Sequence, residues 1–342
     1  MKALILKRYG GTKNVGFADL PRPTIKPDEI LVRVHAAGLN PIDNMIPTGS
    51  FKPIIKLQLP ATMGSDLAGV VVETGSRVTR FKVGDAVFAS TFDLGVGALA
   101  EYAAVPEHVA ALKPDNLDFV QAASIPMVGL TSWQALVERA QLQPGQKVFV
   151  PAGAGGIGSF AIQLAKLLGA KVATTTSTAN VELVRQLGAD QVIDYKKQEF
   201  ESLLRDYDVV LATLRGGELE KSLQVVRPGS QVISLVGPPD AAFARRRGMN
   251  FLMRWVFGLL SGKIIRLAKQ RNASYSFLFV RPDGQQLAEL GAHLAASRLR
   301  PVVDKIFPFT EASEALAYLE QGRAKGKVVV ELVASGIDQA ER

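Results

Sequence analysis

KVFVPAGAGGIGSFAIQLAKLLG, residues 147–169, decides the fold. Its first four residues are a short β-branched and aromatic run that reads as a buried strand. Gly153-Ala154-Gly155-Gly156-Ile157-Gly158 follows with the spacing G-x-G-x-x-G. Ile157, Phe160, Ala161, Leu164, Ala165 and Leu168 then recur at helical spacing until Gly169 supplies a stop. The glycine pattern is weak in isolation, and its place between a strand and a helix makes it a dinucleotide-binding signature. The first glycine permits a tight turn, the second lets backbone approach a pyrophosphate, and the third lets helix pack on strand. The free N–H groups of the helix N-terminus then meet the anion.

Away from that turn the rhythm differs on the two sides. Downstream, a strand at Lys171 to Thr176, a helix at Asn180 to Leu187 and strands at Asp208 to Leu211 and Gln231 to Val236 alternate as in a parallel sheet. Upstream, Ile30 to Gly38, Gly69 to Glu73, Asp85 to Ala89 and Leu99 to Val105 are short β-branched runs parted by Gly, Pro and Asp, an all-β beginning. The opening MKALILKRYG reads as a first strand, since Lys7 and Arg8 end its apolar run before any cleavage-site pattern. The tail has helical periodicity over Gln285 to Ala296 and Glu311 to Gln321, with strands over Pro301 to Phe309 and Lys327 to Val333. At 342 residues the chain is long enough for two cores.

Composition excludes several function classes. With no cysteine, disulfides, thiolate-held zinc, iron–sulfur clusters and a thiol nucleophile are all ruled out, and a reducing, cytoplasmic setting is expected. No uncharged stretch approaches the roughly 18–20 apolar residues of a spanning helix. The formal charge of +8 is local: Arg245, Arg246, Arg247, Arg254, Lys263, Arg266, Lys269 and Arg271 lie in one segment without an acidic residue. The rest of the chain is balanced, so a basic nucleic-acid-binding face is unsupported.

Sites for NAD place an Asp or Glu about 20 residues past the turn, against the ribose 2′-hydroxyl. Here that place reads Thr174-Thr175-Thr176-Ser177-Thr178. A carboxylate would repel a 2′-phosphate, so its absence beside hydroxyl donors favours NADPH over NADH. Threonines also suit a strand, which accounts for Thr174 and Thr175 better than for Ser177. Asp190 and Asp194 come too late along the chain for that role. Tyr195, flanked by Lys196 and Lys197, either closes on the adenosine phosphate or is solvated surface.

A wider set of segments carries a family resemblance: Gly38-Leu39-Asn40-Pro41-Ile42-Asp43, Met63-Gly64-Ser65-Asp66-Leu67-Ala68-Gly69, Gly129-Leu130-Thr131, the turn ending at Gly158, Leu187-Gly188-Ala189-Asp190 leading to Ile193-Asp194-Tyr195, and Gly322-Arg323-Ala324-Lys325-Gly326-Lys327-Val328. Over nearly the whole chain these resemble the zinc-independent quinone oxidoreductase branch of the medium-chain dehydrogenase/reductase superfamily. That branch includes the chloroplast-envelope quinone oxidoreductase homologues and the mitochondrial reticulon-interacting oxidoreductase. The resemblance implies an α/β fold: a GroES-like, β-rich catalytic domain from residues 1–124 and 272–342, with a Rossmann doubly wound parallel sheet over 125–271. It also implies NADPH-dependent hydride transfer to a quinone or α,β-unsaturated carbonyl, in a homodimer. An enoyl-thioester reductase, or a non-catalytic NADPH-sensing protein, would share these features.

Zinc members of the superfamily carry Cys and His–Glu ligands where this chain has Asn40 and Gly64-Ser65-Asp66, which offer no soft ligand. His35, His108 and His293 fall outside the motifs, and no metal is expected; alcohol oxidation therefore fits less well than reduction of an electrophilic acceptor. By the resemblance, Asn40 and Asp43 stand at the catalytic cleft, Asn40 donating to substrate oxygen and Asp43 orienting its neighbours or capping a helix. Thr131 contacts the nicotinamide or its phosphates. Ser177, Asn180 and Tyr195 take the cofactor phosphate, with Asn180 standing where some relatives have Lys. Val236, Gly237 and Phe277-Leu278-Phe279 close over the nicotinamide, although the phenylalanines suit core packing as well. Met45 replaces a Tyr of many relatives, which leaves solvent to protonate the product. The basic, apolar segment from Arg245 to Arg271 reads either as an amphipathic lid that also rests on anionic membrane or as a helix buried between subunits.

Overall fold

The β-rich beginning forms eight strands: β1 (Lys2–Leu6), β2 (Val15–Asp19), β3 (Glu29–Leu39), β4 (Ala61–Thr62), β5 (Asp66–Thr74), β6 (Ala86–Ser90), β7 (Tyr102–Pro106) and β8 (Ala110–Leu112). A computed structural model describes residues 1–214 and 216–333. Helix α1 (Pro41–Met45) follows β3, and α2 (Phe119–Ala123) and α3 (Pro126–Trp133) follow β8. The strand β3 is buried along almost its whole length rather than on alternate residues. One face contributes Ile30, Val32 and Val34 to the core with Leu4, Leu67 and Val87. On the α2 side, a Cβ at Gly38 would lie 2.1 Å from the Ala123 carbonyl oxygen, so only glycine allows α2 to approach this closely.

From β9 (Lys147–Val150) the chain alternates: α4 (Gly156–Leu167), β10 (Lys171–Thr176), α5 (Val181–Gln186), β11 (Gln191–Asp194), α6 (Phe200–Leu203), β12 (Tyr207–Ala212), α7 (Glu218–Ser222), β13 (Val226–Ser234), α8 (Ala241–Arg246), α9 (Phe251–Gln270) and β14 (Ser274–Phe277). The six strands pair in parallel in the order β11-β10-β9-β12-β13-β14. Renumbered within the sheet this is 3-2-1-4-5-6, the doubly wound order whose reversal point lies beside its first strand, here β9. The last elements among the described residues are α10 (Gly284–Ala295), β15 (Val303–Pro308), α11 (Ala312–Glu320) and β16 (Lys327–Glu331). The last strand pairs antiparallel with β3, so the tail completes the sheet begun at the N-terminus.

Two compact units result: Met1–Leu130 with the chain from Arg281 onward, and Thr131–Val280. From the sequence the return to the first domain is expected at residue 272. Instead, β14 pairs with β13 from Gln231↔Ser274 to Ser234↔Phe277 and is the sixth strand of the parallel sheet. Four residues of mixed polarity give too short a pattern to be seen as a strand; only the neighbouring strand defines them.

Candidate active site

The glycine turn distributes its work differently from the motif's usual description. The left-handed residue is Ala152, at φ 53°, rather than Gly153. Gly153 is required for another reason, because a Cβ there would lie 2.1 Å from Thr174 Oγ1 on β10. A Cβ on Gly158 would meet the Ala152 carbonyl oxygen at 2.3 Å, so the start of α4 sits directly on the turn. Gly155 is different: the nearest atom to its added Cβ is 3.4 Å away, an ordinary van der Waals contact, so a Cβ there would collide with nothing in the protein. Gly153 and Ala154 are buried, whereas Gly155, Gly156 and Ile157 are partly exposed at the first turn of α4. The N–H groups of that turn have no acceptor within the helix and are suited to a diphosphate.

Thr174 donates to the Val150 carbonyl at 2.6 Å, and Thr175 Oγ1 accepts from the Ala152 N–H at 3.1 Å. These two threonines therefore hold the turn to β10. Ser177 and Asn180 lie just beyond the strand and are partly exposed, with Asn180 Nδ2 donating to Ser177 Oγ at 3.2 Å. The other amide atom, Asn180 Oδ1, is buried without a hydrogen-bond partner. Turning the amide over would place an N–H donor at that position instead. Tyr195 is 58% exposed. Asp194, too late in the sequence for the ribose role, is opposite Thr176 in the sheet. The Thr178 hydroxyl donates to it at 2.6 Å and lowers its pKa, and Lys197 lies at 3.6 Å, so its charge is partly compensated.

Across the same sheet, Val236 and Gly237 occupy a tied loop. The Val236 N–H donates to Ser234 Oγ at 3.4 Å, and that hydroxyl donates to the Gly237 carbonyl at 2.8 Å. Asp240 joins the loop to β14 by accepting the Phe277 N–H at 2.9 Å, and Arg139 donates to the Phe277 carbonyl at 2.7 Å. Phe277 and Leu278 are buried, and Phe279 packs near Phe243 with ring centroids 5.6 Å apart. Asp240 and Arg139, which fix the backbone of this segment, carry no signal in the sequence.

The first unit holds a buried polar cluster at the junction of β3, α1, β5 and β16. Asp43 accepts the Asn40 backbone N–H at 2.8 Å and the Ser65 hydroxyl at 2.6 Å. It thus both caps α1 and anchors a neighbour, so the two sequence readings of Asp43 are compatible. The Asn40 amide is committed on both ends: Nδ2 donates to Asp66 at 2.9 Å, and Oδ1 accepts from Lys327 Nζ at 2.6 Å. The second Nδ2 hydrogen takes no part in these two bonds. Lys327 Nζ also lies 3.3 Å from Asp66, whose other oxygen accepts the Met127 N–H at 3.1 Å. All five residues are at most 4% exposed. Burial raises Asp43 to about 6 against the favourable Ser65 and Asn40 hydrogen bonds. Burial likewise pushes Asp66 up and Lys327 down, and each moderates the other's shift. Thr131, at 4% exposure in α3, is the first residue of the second unit.

Comparison with known proteins agrees with this construction. Residues 26–115 match the alcohol dehydrogenase GroES-like domain, and residues 187–330 match the family described as zinc-binding dehydrogenase. The NADPH-dependent alkenal/one oxidoreductase of Arabidopsis thaliana chloroplasts is 38% identical over 96% of this chain and 79% of its own length. The chloroplast envelope quinone oxidoreductase homolog of the same plant is 33% identical over 97% of this chain and 98% of its own. The quinone oxidoreductase of Coxiella burnetii superimposes with a TM-score of 0.83 at 31% identity, covering 97% of this chain and 99% of that one. The chain belongs to the medium-chain dehydrogenase/reductase superfamily, in its quinone oxidoreductase branch.

In this dehydrogenase/reductase the residues do not fit the zinc that the second family description implies. Among the described residues no three His, Asp or Glu side chains come together to hold a metal. The two carboxylates of the cluster already have donors, and the Lys327 ammonium beside Asp66 opposes a second cation. His35 packs against Phe119 with ring centroids 4.1 Å apart and the rings tilted by 34°, as a packed histidine in β3. Ser65, Asp66 and Lys327 belong to segments that mark the family, yet the bond of Ser65 to Asp43 and those of Asp66 and Lys327 to Asn40 are absent from any local pattern. The available clue was a charged residue opening a strand whose next residues are apolar, in Asp66 of β5 and Lys327 of β16.

Proposed function

We propose that this protein is an NADPH-dependent, zinc-independent oxidoreductase that reduces quinones or α,β-unsaturated carbonyl compounds. The observation that carries the proposal is the glycine turn between β9 and α4, where Gly153 and Gly158 admit no Cβ, with Ser177 and Asn180 rather than a carboxylate just beyond the end of β10. The alkenal/one and quinone activities named for its relatives support the acceptor class. When bound, the dinucleotide supplies the hydride; the chain's residues bind, orient and exclude water.

Gly153, Ala154, Gly155, Gly156, Ile157 and Gly158 hold the diphosphate, and Ser177, Asn180 and Tyr195 take the 2′-phosphate. Val236, Gly237 and the Phe277-Leu278-Phe279 segment, fixed by Asp240 and Arg139, pack the nicotinamide with Thr131. Asn40, clamped by Lys327 and Asp66, offers its remaining N–H to the enolate or quinol oxygen that becomes more negative as hydride arrives. Asp43 positions Asn40 and Ser65, and solvent protonates the product because Met45 has no acidic hydrogen.

The reading extends to a homodimer formed at β14, the outer strand of the parallel sheet. It also extends to a cytoplasmic setting, supported by a cysteine-free composition. Among the described residues no helix is long and apolar enough to cross a membrane. A screen of NADPH and NADH oxidation over quinones, short enones, secondary alcohols and enoyl-CoA, with and without chelator, tests the activity. Turnover restricted to enoyl-CoA, loss of activity with chelator, or equal use of NADH would each overturn part of the proposal, and light scattering decides the dimer.

A further inference from the structure

Helix α9 carries two unlike surfaces end to end. Its inward residues Phe257, Ser261, Ile264 and Ala268 are buried. Ile264 and Ala268, in the second half, join the core beneath the parallel sheet. In the first half, Phe257 stacks on Phe243 of α8 with ring centroids 6.1 Å apart. The first half therefore projects a surface that the sheet does not need.

At 3.6 residues per turn, Phe251, Leu252, Trp255 and Leu259 share one side of the helix, opposite the buried stripe. They are 80%, 62%, 55% and 61% exposed, with Leu260 beside them at 57%. Continuing along the same side, the exposed residues become Lys263, Arg266 and Lys269. Arg245, Arg246 and Arg247 lie at the end of α8 just before the apolar half. Lys263 forms an ion pair with Glu220 of α7; the segment from 241 to 271 has no acidic residue of its own. Large apolar side chains held in water between two basic groups match a surface that is apolar inside and negatively charged at its rim.

We infer that the first half of α9 is a peripheral membrane anchor, inserting Phe251, Leu252, Trp255 and Leu259 at the headgroup boundary of an anionic bilayer while the flanking arginines and lysines meet lipid phosphates and carboxylates. Electrostatic attraction brings the helix to the surface and apolar insertion holds it there, so the binding is reversible and salt-sensitive. The inference rests on α9 and stands whether or not the acceptor class assigned above is right.

The test uses the full-length protein with phosphatidylcholine vesicles, with and without phosphatidylserine, at low and high salt. Co-sedimentation is expected to be at least about tenfold stronger with phosphatidylserine and to fall at high salt. Trp255 emission should shift to the blue on binding, and the shift should vanish in Trp255→Phe. Arg266→Glu should weaken binding by roughly fivefold or more. Trp255→Ser with Leu259→Ser should abolish it while NADPH oxidation of a water-soluble acceptor and the melting temperature are unchanged. Absence of pelleting with phosphatidylserine at low salt overturns the inference, as does binding indifferent to the double substitution. Conversion of a dimer to a monomer by the same double substitution would assign this face to a second copy instead and would also overturn it.

Discussion

Replacing Lys327 by Met removes an ammonium but keeps most of the side-chain volume, so the outcome depends on charge rather than on a cavity. In the folded protein Lys327 Nζ lies 2.6 Å from Asn40 Oδ1 and 3.3 Å from Asp66, whose residue is fully buried. The substitution leaves Asp66 with the Asn40 amide and the Met127 N–H as donors and no compensating charge. Breaking a buried pair from one side costs about 3–5 kcal/mol, because the remaining charge stays out of water. With a urea m-value of about 2–3 kcal/mol/M, the midpoint of the first unit should fall by roughly 1–2.5 M. Adding Asp66→Asn should recover more than half of the loss. The neutral amide needs no counter-charge, and Asn40 can turn over to accept from it. Because Asn40 also loses the donor that fixes its amide, kcat of the single variant should drop by about tenfold or more. NADPH affinity, set by the turn in the other unit, should not change. Denaturation curves of the two single variants and the double variant, with NADPH titrations of each, form the assay. A midpoint shift below about 0.3 M for Lys327→Met, or no recovery in the double variant, would refute the view that this pair is structurally coupled.

Gly155→Ala should fold with an unchanged melting temperature, because its Cβ would make only an ordinary contact, yet bind NADPH at least about tenfold more weakly, since that Cβ would hold the diphosphate away from the turn. Gly158→Ala should destabilise the fold itself, because its Cβ would meet backbone at 2.3 Å. Calorimetry and thermal melts separate the two, and equal effects from both would remove the distinction drawn between them. Ser177→Asp should weaken NADPH by roughly ten- to a hundredfold while leaving NADH nearly unaffected, through repulsion of the 2′-phosphate; parallel titrations with both dinucleotides check it. For Asp43 the folded carboxyl titrates at about 6 against an ordinary 3.8. Below about pH 4 both folded and unfolded states keep the proton, and between about pH 4 and pH 6 only the folded state does. Asp43 therefore stabilises the protein at low pH, and up to about 3 kcal/mol is lost as pH rises through 6. Urea midpoints measured across that range should show this slope in the parent and lack it in Asp43→Asn.

What the sequence determined by itself was local. A collision of Cβ with backbone at Gly158 is settled within a few residues, and the periodicity of Phe160, Ala161 and Leu164 reports the burial of a single helix; both are visible without knowing what lies across the fold. The alternation of strand and helix then implied the parallel sheet. What only the tertiary structure decided involved partners distant in the chain. Lys327 reaches Asn40 across 287 residues, and Asp66 crosses 26 to the same amide, so neither spacing nor composition marks the three as one cluster. The strand at Ser274–Phe277 exists because β13 presents a free edge to it, and four residues carry no periodicity of their own. In the sequence the apolar side chains of α9 crowd residues 249–260 and Lys263 and Arg266 follow, but nothing there marks which of them are buried. Packing alone divided it, burying Ile264 and Ala268 beneath the sheet and leaving Phe251 and Trp255 in water, because burial depends on what the rest of the chain brings alongside.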